Sequence, residues 1–193
     1  PAGSLHGCTR KRAGQVRKGV PLACLLVVAG CQLPLGRSSG PIAMPDPRVP
    51  PADTDVDIHA LERELFHAVN GARGDEGARA LDANSAMARA AREHALELAA
   101  RHELDHRSIQ AGRETFADRL ALAGAPAWTL AGENLIQLPF VTRDVPGEAV
   151  RGWLGSASHR MQMLEPSYTD TGVGIARDAH GDWFIVQLFV RRR

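Results

Sequence analysis

The stretch TGVGIARDAHGDWFIVQLFV, residues 171–190, contains two runs rich in β-branched and aromatic residues on either side of RDAHGD. This spacing predicts a β-hairpin, with Gly181 supplying the positive φ that a tight loop needs. Alternation in the second run places apolar side chains on both faces of the strand: Trp183, Ile185 and Phe189 on one, and Phe184, Val186, Leu188 and Val190 on the other. A strand that is apolar on both faces needs a packing layer on each side of its sheet.

Helical patterns elsewhere in the chain can form those layers. Apolar residues recur at threes and fours from residue 56 to about 70, from Asn84 or Ser85 to about 102, over about 114–123, and from Gly147 towards Leu154. In the first strand, Gly172 and Gly174 leave one face nearly flat for a helix to approach. We therefore predict an α+β fold, a three-layer α-β-α sandwich around a short, mainly antiparallel sheet.

Length, charge and cysteine content limit the class of protein. The chain has 193 residues, enough for one well-packed domain. Its net charge is +1, and its basic residues, nearly all arginine, are scattered among acids. We therefore expect no nucleic-acid partner. The three cysteines all lie within the first 31 residues, so no disulfide is expected in the folded domain.

The segment VRKGVPLACLLVVAGC, residues 16–31, has the layout of an export signal, with basic residues before an apolar run that ends at a cysteine. The apolar run is too short to span a bilayer as a helix. Its end resembles the bacterial lipobox, which makes Cys31 the predicted lipid anchor. The anchor can lie in the cell membrane or the outer membrane, and in a bacterium with two membranes Gln32 in place of Asp favours the outer one. A buried segment of the domain is the alternative. Residues 1–15 fit no export signal, and a translation start near Val16 would account for them.

Residues 32–54 form a predicted linker, because residues 32–53 hold six of the twelve prolines together with glycine and serine. The sequence thus predicts an export signal over residues 1–31, a proline-rich linker over 32–54 and a folded domain over 55–193. An anchor, a spacer and a domain are the plan of a protein that works at a membrane surface without crossing it.

The segment RHELDHRS, residues 101–108, contains the spacing of a zinc peptidase, with His102 and His106 as ligands and Glu103 as general base. Glu133 would supply the third ligand in that interpretation. The charged residues Asp105 and Arg107 and the polar segment after them indicate instead that the helix ends near residue 102. In that case His106 lies on a loop that can turn into a cleft, and His102 is a core or rim histidine.

Seven motifs follow one another along the chain: AVNGAR (68–73), LDH (104–106), FADRL (116–120), AGENL (131–135), WLGSASHR (153–160), TGVGIA (171–176) and VQLF (186–189). They cover about residues 56–190, and their succession is far more specific than any one of them. In this order they resemble the bacterial branch of the CAP superfamily, also called SCP domains and related to cysteine-rich secretory proteins, antigen 5 and plant pathogenesis-related protein 1. The resemblance implies an α-β-α sandwich, in agreement with the layers predicted above.

The resemblance also implies a cleft in which His106, Glu133 and His159 hold a divalent metal such as zinc. Ser156 occupies the place of a further family acid, and Asn134 and Arg160 are predicted to support the cleft. We expect structural roles for Asn70, Arg73, Asp118, Arg119 and Trp153.

The resulting expectation is an exported, lipid-anchored module that binds a metal or a small envelope ligand, whether lipid, peptide or glycan. The alternative is a metal-dependent hydrolase that uses the same three cleft residues on envelope peptide or glycan bonds, so a catalytic role stays open.

Overall fold

Four strands form one open sheet in the part of the chain that the computed structural model describes, residues 56–193. The strands are β1 (Asp82–Ala83), β2 (Trp128–Leu138), β3 (Asp170–Arg177) and β4 (Trp183–Arg192), in the spatial order β1-β3-β4-β2. β4 pairs antiparallel with both β2 and β3, and the short β1 pairs parallel with β3. The predicted export signal, Cys31 and the linker lie outside the described residues.

Five helices cover the two faces of the sheet. They are α1 (Ile58–Asp75), α2 (Ser85–Arg101), α3 (Phe116–Leu122), α4 (Val145–Gly155) and α5 (Ala157–Leu164). The apolar residues of α1, α4 and α5 share one buried cluster, and those of α2 and α3 share the other. The predicted three-layer sandwich with a mainly antiparallel sheet is therefore confirmed. Among the described residues, no helix is both long and apolar enough to cross a membrane.

The central strand β4 separates the two cores as its sequence predicts. Its odd-numbered residues Trp183, Ile185 and Phe189 belong to the cluster under α1, α4 and α5. Its even-numbered residues pack under α2 and α3: Phe184, Val186, Leu188 and Val190. Gly181, in the loop before this strand, has a φ of 90° and so takes the left-handed conformation expected of it.

Glycines on β3 allow α2 to lie directly against the sheet. A Cβ on Gly172 would overlap the backbone of Met87 and Ala88, and one on Gly174 would overlap the backbone of α2 one turn later. Asn84 caps this helix by accepting from the backbone N–H groups of the first turn. The helix ends at Arg101, as predicted, and the next residue, His102, has a φ of 51°.

Side chains expected to be structural do join elements in the fold. Asn70 exchanges two hydrogen bonds with the backbone of Leu81, at 2.8 and 3.1 Å. The buried guanidinium of Arg73 donates to the carbonyl oxygen atoms of Arg79, Met163 and Glu165. The indole N–H of Trp153 donates to a β2 carbonyl oxygen at 3.2 Å. These contacts tie α1 to the start of β1 and the end of α5, and α4 to β2.

Besides the two-residue β1, two longer elements were not predicted from the sequence. β2 contains AGENL, whose glycine and polar residues have low strand propensity, yet pairing with β4 along nearly its whole length fixes it as a strand. α5 is only eight residues long and follows α4 with Ser156 alone between them, so its pattern is too short to stand out from that of α4. Both elements carry predicted site residues.

Candidate functional site

The predicted site lies along β2, which is an edge strand of the sheet. Successive side chains of a strand point to opposite faces, so neighbouring residues serve different layers. Leu135 packs in the α2 and α3 cluster, which places Glu133 on that face. Ile136 packs against the cluster of α1, α4 and α5, which places Asn134 on the other. The strand thus presents one polar side chain to each layer at the same point.

Glu133 connects the segments of the α2 and α3 layer. Its side chain is only 2% exposed. One carboxylate oxygen accepts from Arg119 Nη2 of α3 at 2.5 Å, and the other lies 2.9 Å from Nδ1 of His106. Arg119 also donates to the carbonyl oxygen of His106 at 3.3 Å. The loop that carries His106 is therefore held at both its backbone and its ring.

The His106 ring is oriented with one nitrogen free. A carboxylate only accepts hydrogen bonds, so Nδ1 carries the proton of the contact with Glu133 and Nε2 is left for another partner. The hydrogen bond from Glu133 raises the pKa of His106 above its usual range, although burial opposes the shift. The side chain is 58% exposed and lines a cleft, so the ring is accessible to ligands.

His159 reaches the same place from the opposite layer. Asn134 is fully buried, and its amide donates to the carbonyl oxygen of His159 at 3.0 Å, which fixes α5 against the edge of β2. Burial lowers the pKa of His159, and the nearby His106 lowers it further. The two histidines thus shift in opposite directions, so the protein favours one protonated and one neutral imidazole between the two pKa values.

The cleft between these side chains has a volume of about 320 Å³ and is lined by His106, Glu133, Asn134, His159, Phe116 and Ser158, among others. Gly132 permits its narrow floor, because a Cβ there would overlap Gln162 and the hydroxyl of Tyr168. That hydroxyl donates to the Gln162 amide at 2.7 Å and keeps it in place. The three predicted ligands therefore share one cleft, built by both helix layers.

Two other predicted residues lie outside the lining of this cleft. Arg160 pairs with Glu76, the residue after α1, at 2.7 Å. Ser156 links α4 to α5, and its hydroxyl lies 3.3 Å from that of Ser158. Both contribute to the cleft through the position of α5 and not through direct contact.

The zinc-peptidase interpretation lacks the helix it needs. α2 ends at Arg101, and His102 and His106 are held by different acids, Asp178 and Glu133. Glu103 pairs with Arg101 at 2.5 Å on the surface. His102 is half exposed at the rim of the fold, one of the two placements expected for it.

Sequence reasoning missed two buried polar residues of α2 that support the His106 loop. Glu97 accepts from the Ser108 hydroxyl at 2.6 Å and from the Ile109 N–H at 2.9 Å. His94 Nε2 contacts the carbonyl oxygen of Asp105 at 3.0 Å, and burial, together with the charge of Arg119, lowers its pKa. Both side chains interrupt the alanine-rich inner face of the helix, a pattern that could have identified them.

Comparison with known proteins gives the family. The model of the cysteine-rich secretory protein family, CAP, matches residues 66–189. The chain belongs to this family. The match contains every described residue of the cleft.

Individual relatives agree with this assignment. The uncharacterized protein YkwD of Bacillus subtilis is 26% identical over 117 residues, which are 61% of this chain and 43% of YkwD. An extracellular SCP-domain protein of Bacillus anthracis has a TM-score of 0.59 and 26% identity over 69% of this chain and 41% of its own. An outer surface protein of Borrelia burgdorferi has a TM-score of 0.61 and 18% identity over 72% of this chain and 97% of its own, a likeness of fold alone. The chain thus spans less than half the length of the two Bacillus proteins.

Proposed function

We propose that this CAP domain is an exported binding module whose cleft takes a divalent metal ion, or a small ligand through such an ion, at His106 and His159. The observation that carries the proposal is the pairing of an accessible His106 ring, oriented by a buried carboxylate, with a second imidazole in the same cleft. A carboxylate behind a histidine is the usual support of a metal-binding imidazole in proteins.

The donor set fits a borderline divalent ion such as zinc. Neutral imidazole nitrogens are typical zinc ligands, and the lowered pKa of His159 favours its neutral form. Both oxygens of Glu133 already bind His106 and Arg119, which favours an orienting role for this residue over direct ligation. Two protein nitrogens leave positions for water or for oxygen atoms of a ligand, so an envelope peptide, glycan or lipid head group with such oxygens is the ligand class we propose.

Location at the cell envelope is part of the proposal. It is supported by the signal-like segment that ends at Cys31 and by the B. anthracis relative, which is described as extracellular. Lipidation of Cys31 would hold the domain at the membrane through the proline-rich linker.

The metal proposal is tested by adding zinc to the full chain while the histidine ring resonances are recorded by NMR. We expect the signals of His106 and His159 to shift together as zinc is added. A His106→Ala, His159→Ala double variant should lose zinc binding in the cleft. A His59→Ala, His67→Ala double variant on α1, outside the cleft, is the matched control. Unmoved signals of His106 and His159 at saturating zinc would refute the proposal.

Hydrolysis is a second candidate, because a histidine oriented by a buried acid is also the arrangement of a general base and its partner. In that case, turnover of an envelope peptide or glycan fragment would be lost in the His106→Ala variant and in the His159→Ala variant, with the fold unchanged. Zinc binding without turnover of any such fragment would favour the binding module.

A further inference from the structure

A second group of ligand-type side chains lies at the β3–β4 hairpin, outside the cleft. One ligand atom each from His102, Asp178 and Asp182 lie within 4.8 Å of one another. The ring of His180 lies beside that of His102, with 5.0 Å between the ring centroids. None of these four residues lines the cleft of His106 and His159. We call the four residues the hairpin cluster.

The carboxylates of the hairpin cluster are fixed by backbone groups. The Asp178 side chain is only 1% exposed, and one of its oxygens accepts from the N–H groups of His180 and Asp182 at 2.9 and 2.8 Å. Its other oxygen contacts Nδ1 of His102. Asp182 accepts from the N–H of Phe140 at 3.0 Å and from the Gln137 amide at 3.2 Å. Each acid therefore has a set position before any ligand arrives.

His102 is positioned by its backbone as well as by its ring. It is the only non-glycine residue with a positive φ among residues 56–193, and it ends α2 in the left-handed conformation. Its ring packs edge-on against Phe184 of β4, with 6.0 Å between centroids. The turn aims the imidazole at the hairpin acids instead of continuing the helix. The ring is half exposed, so an ion can reach it from solvent.

Arg177, the last residue of β3, lies at the start of the same hairpin. The Arg177 guanidinium lies 4.7 Å from the centroid of the Trp183 ring and donates to the Gly181 carbonyl oxygen at 2.9 Å. Trp183 packs in the core of α1 and α4, whereas Phe184, which supports His102, packs in the core of α2 and α3. The contact of Arg177 with Trp183 therefore lies on the opposite face of β4 from Phe184, which supports the His102 ring.

We propose that the hairpin cluster is a binding site for a zinc-like divalent transition-metal ion, with His102, Asp178 and Asp182 as ligands and His180 as the fourth. Two carboxylates supply charge, and two imidazoles select against calcium and magnesium, which prefer sets made only of oxygen. The ion takes the position between His102 and Asp178 that a hydrogen bond now bridges. It joins the end of α2, the hairpin and the turn after β2, and so acts as a structural clamp.

The test is a calorimetric titration of the full chain with Zn²⁺ at about pH 7.5, where an ordinary imidazole is neutral, together with a thermal melt. We compare the wild type with Asp182→Asn and with His102→Asn, since asparagine tolerates the left-handed conformation and keeps the backbone turn. Both variants should bind zinc at this site at least about 100-fold more weakly and lose its thermal shift. Asp178 is left unchanged because it holds the hairpin together.

The His106→Ala, His159→Ala double variant separates this site from the cleft. It should keep the zinc binding that Asp182→Asn removes, and His67→Ala on α1 should behave as the wild type. Wild-type affinity in both hairpin variants overturns the proposal, as does complete loss of zinc binding in the cleft variant. Failure of the wild type to bind zinc overturns it as well.

Discussion

Glu133 contacts both a buried cation, Arg119, and an exposed imidazole, His106, and these contacts give it two separate effects. Against Arg119 it neutralises a guanidinium that is only 4% exposed, and a buried charge without a partner is costly. Against His106 it favours the protonated ring and fixes its orientation. One carboxylate thus sets both the local stability and the acid–base state of the cleft.

We expect Glu133→Gln to lower the pKa of His106, because a neutral amide stabilises the imidazolium much less than a carboxylate does. The measurement is an NMR titration of the His106 ring. Glu103→Gln is the matched control, since Glu103 lies on the same loop but pairs with Arg101. An unchanged His106 titration in Glu133→Gln would contradict the assigned hydrogen bond.

The same bond has a pH signature in stability. The folded protein raises the pKa of His106. The folding stability that the Glu133–His106 contact contributes is therefore complete below the unfolded pKa of about 6.5, and it is lost as pH rises through the folded value. The stability lost in Glu133→Gln should therefore be larger near pH 5.5 than near pH 9, as judged by urea unfolding at roughly these two values.

The contact of α2 with β3 depends on the missing side chains of two glycines, Gly172 and Gly174. Gly172→Ala should destabilise the protein by about 1–3 kcal/mol, because the new Cβ meets helix backbone that has no room to move. Gly71→Ala in α1 is the control, since nothing lies within 4 Å of its Cβ position. That change should stabilise the protein by about 0.5–1 kcal/mol in urea unfolding. Equal effects of the two changes would count against the close contact.

The elements that the sequence predicts well are those with a long apolar period or a distinctive turn. The two-faced apolar pattern of β4, the Gly181 turn and the end of α2 before residue 102 could all be predicted. β2 could not be predicted, because Gly132, Glu133 and Asn134 have low strand propensity and instead form part of the cleft. Its structure comes from pairing with β4, a contact between residues distant along the chain.

The site was predictable only in part for a similar reason. The family motifs predicted that His106, Glu133 and His159 share one cleft, and all three side chains line one cleft in the structure. The hairpin cluster joins residues from positions 102 and 178–182 that no local pattern connects. The left-handed conformation at residue 102 is also not indicated by the sequence, because the residue is histidine and not glycine. The support given by His94 and Glu97 likewise depends on which loop packs against α2.

Buried histidines make the folding stability of the domain sensitive to mild acid. Burial lowers the pKa of His94 in the folded protein. The folding stability that depends on a neutral His94 is therefore complete above the unfolded pKa of about 6.5, and it is lost as pH falls towards the folded value. His159 acts with the same sign. The carboxylates with lowered pKa, such as Glu62 and Glu97, affect stability only at lower pH.

We therefore expect His94→Gln to reduce the fall in stability between about pH 7.5 and 5.5, although it lowers stability at neutral pH by altering the contact with Asp105. Urea unfolding at several pH values gives the slope of the free energy of unfolding against pH. His67→Gln, an exposed position on α1, should keep the wild-type slope. A slope that is the same in all three proteins would show that His94 is not the group responsible.

The alternation of Glu133 and Asn134 along β2 also bears on how the cleft can change over time. Each helix layer brings its own histidine and its own neighbours to the edge strand, and the two sets touch the strand on opposite sides. Substitutions in α5 can therefore reshape one wall while the other stays intact. Such a two-part pocket can acquire new ligand preferences one half at a time, without an intermediate variant that fails to fold.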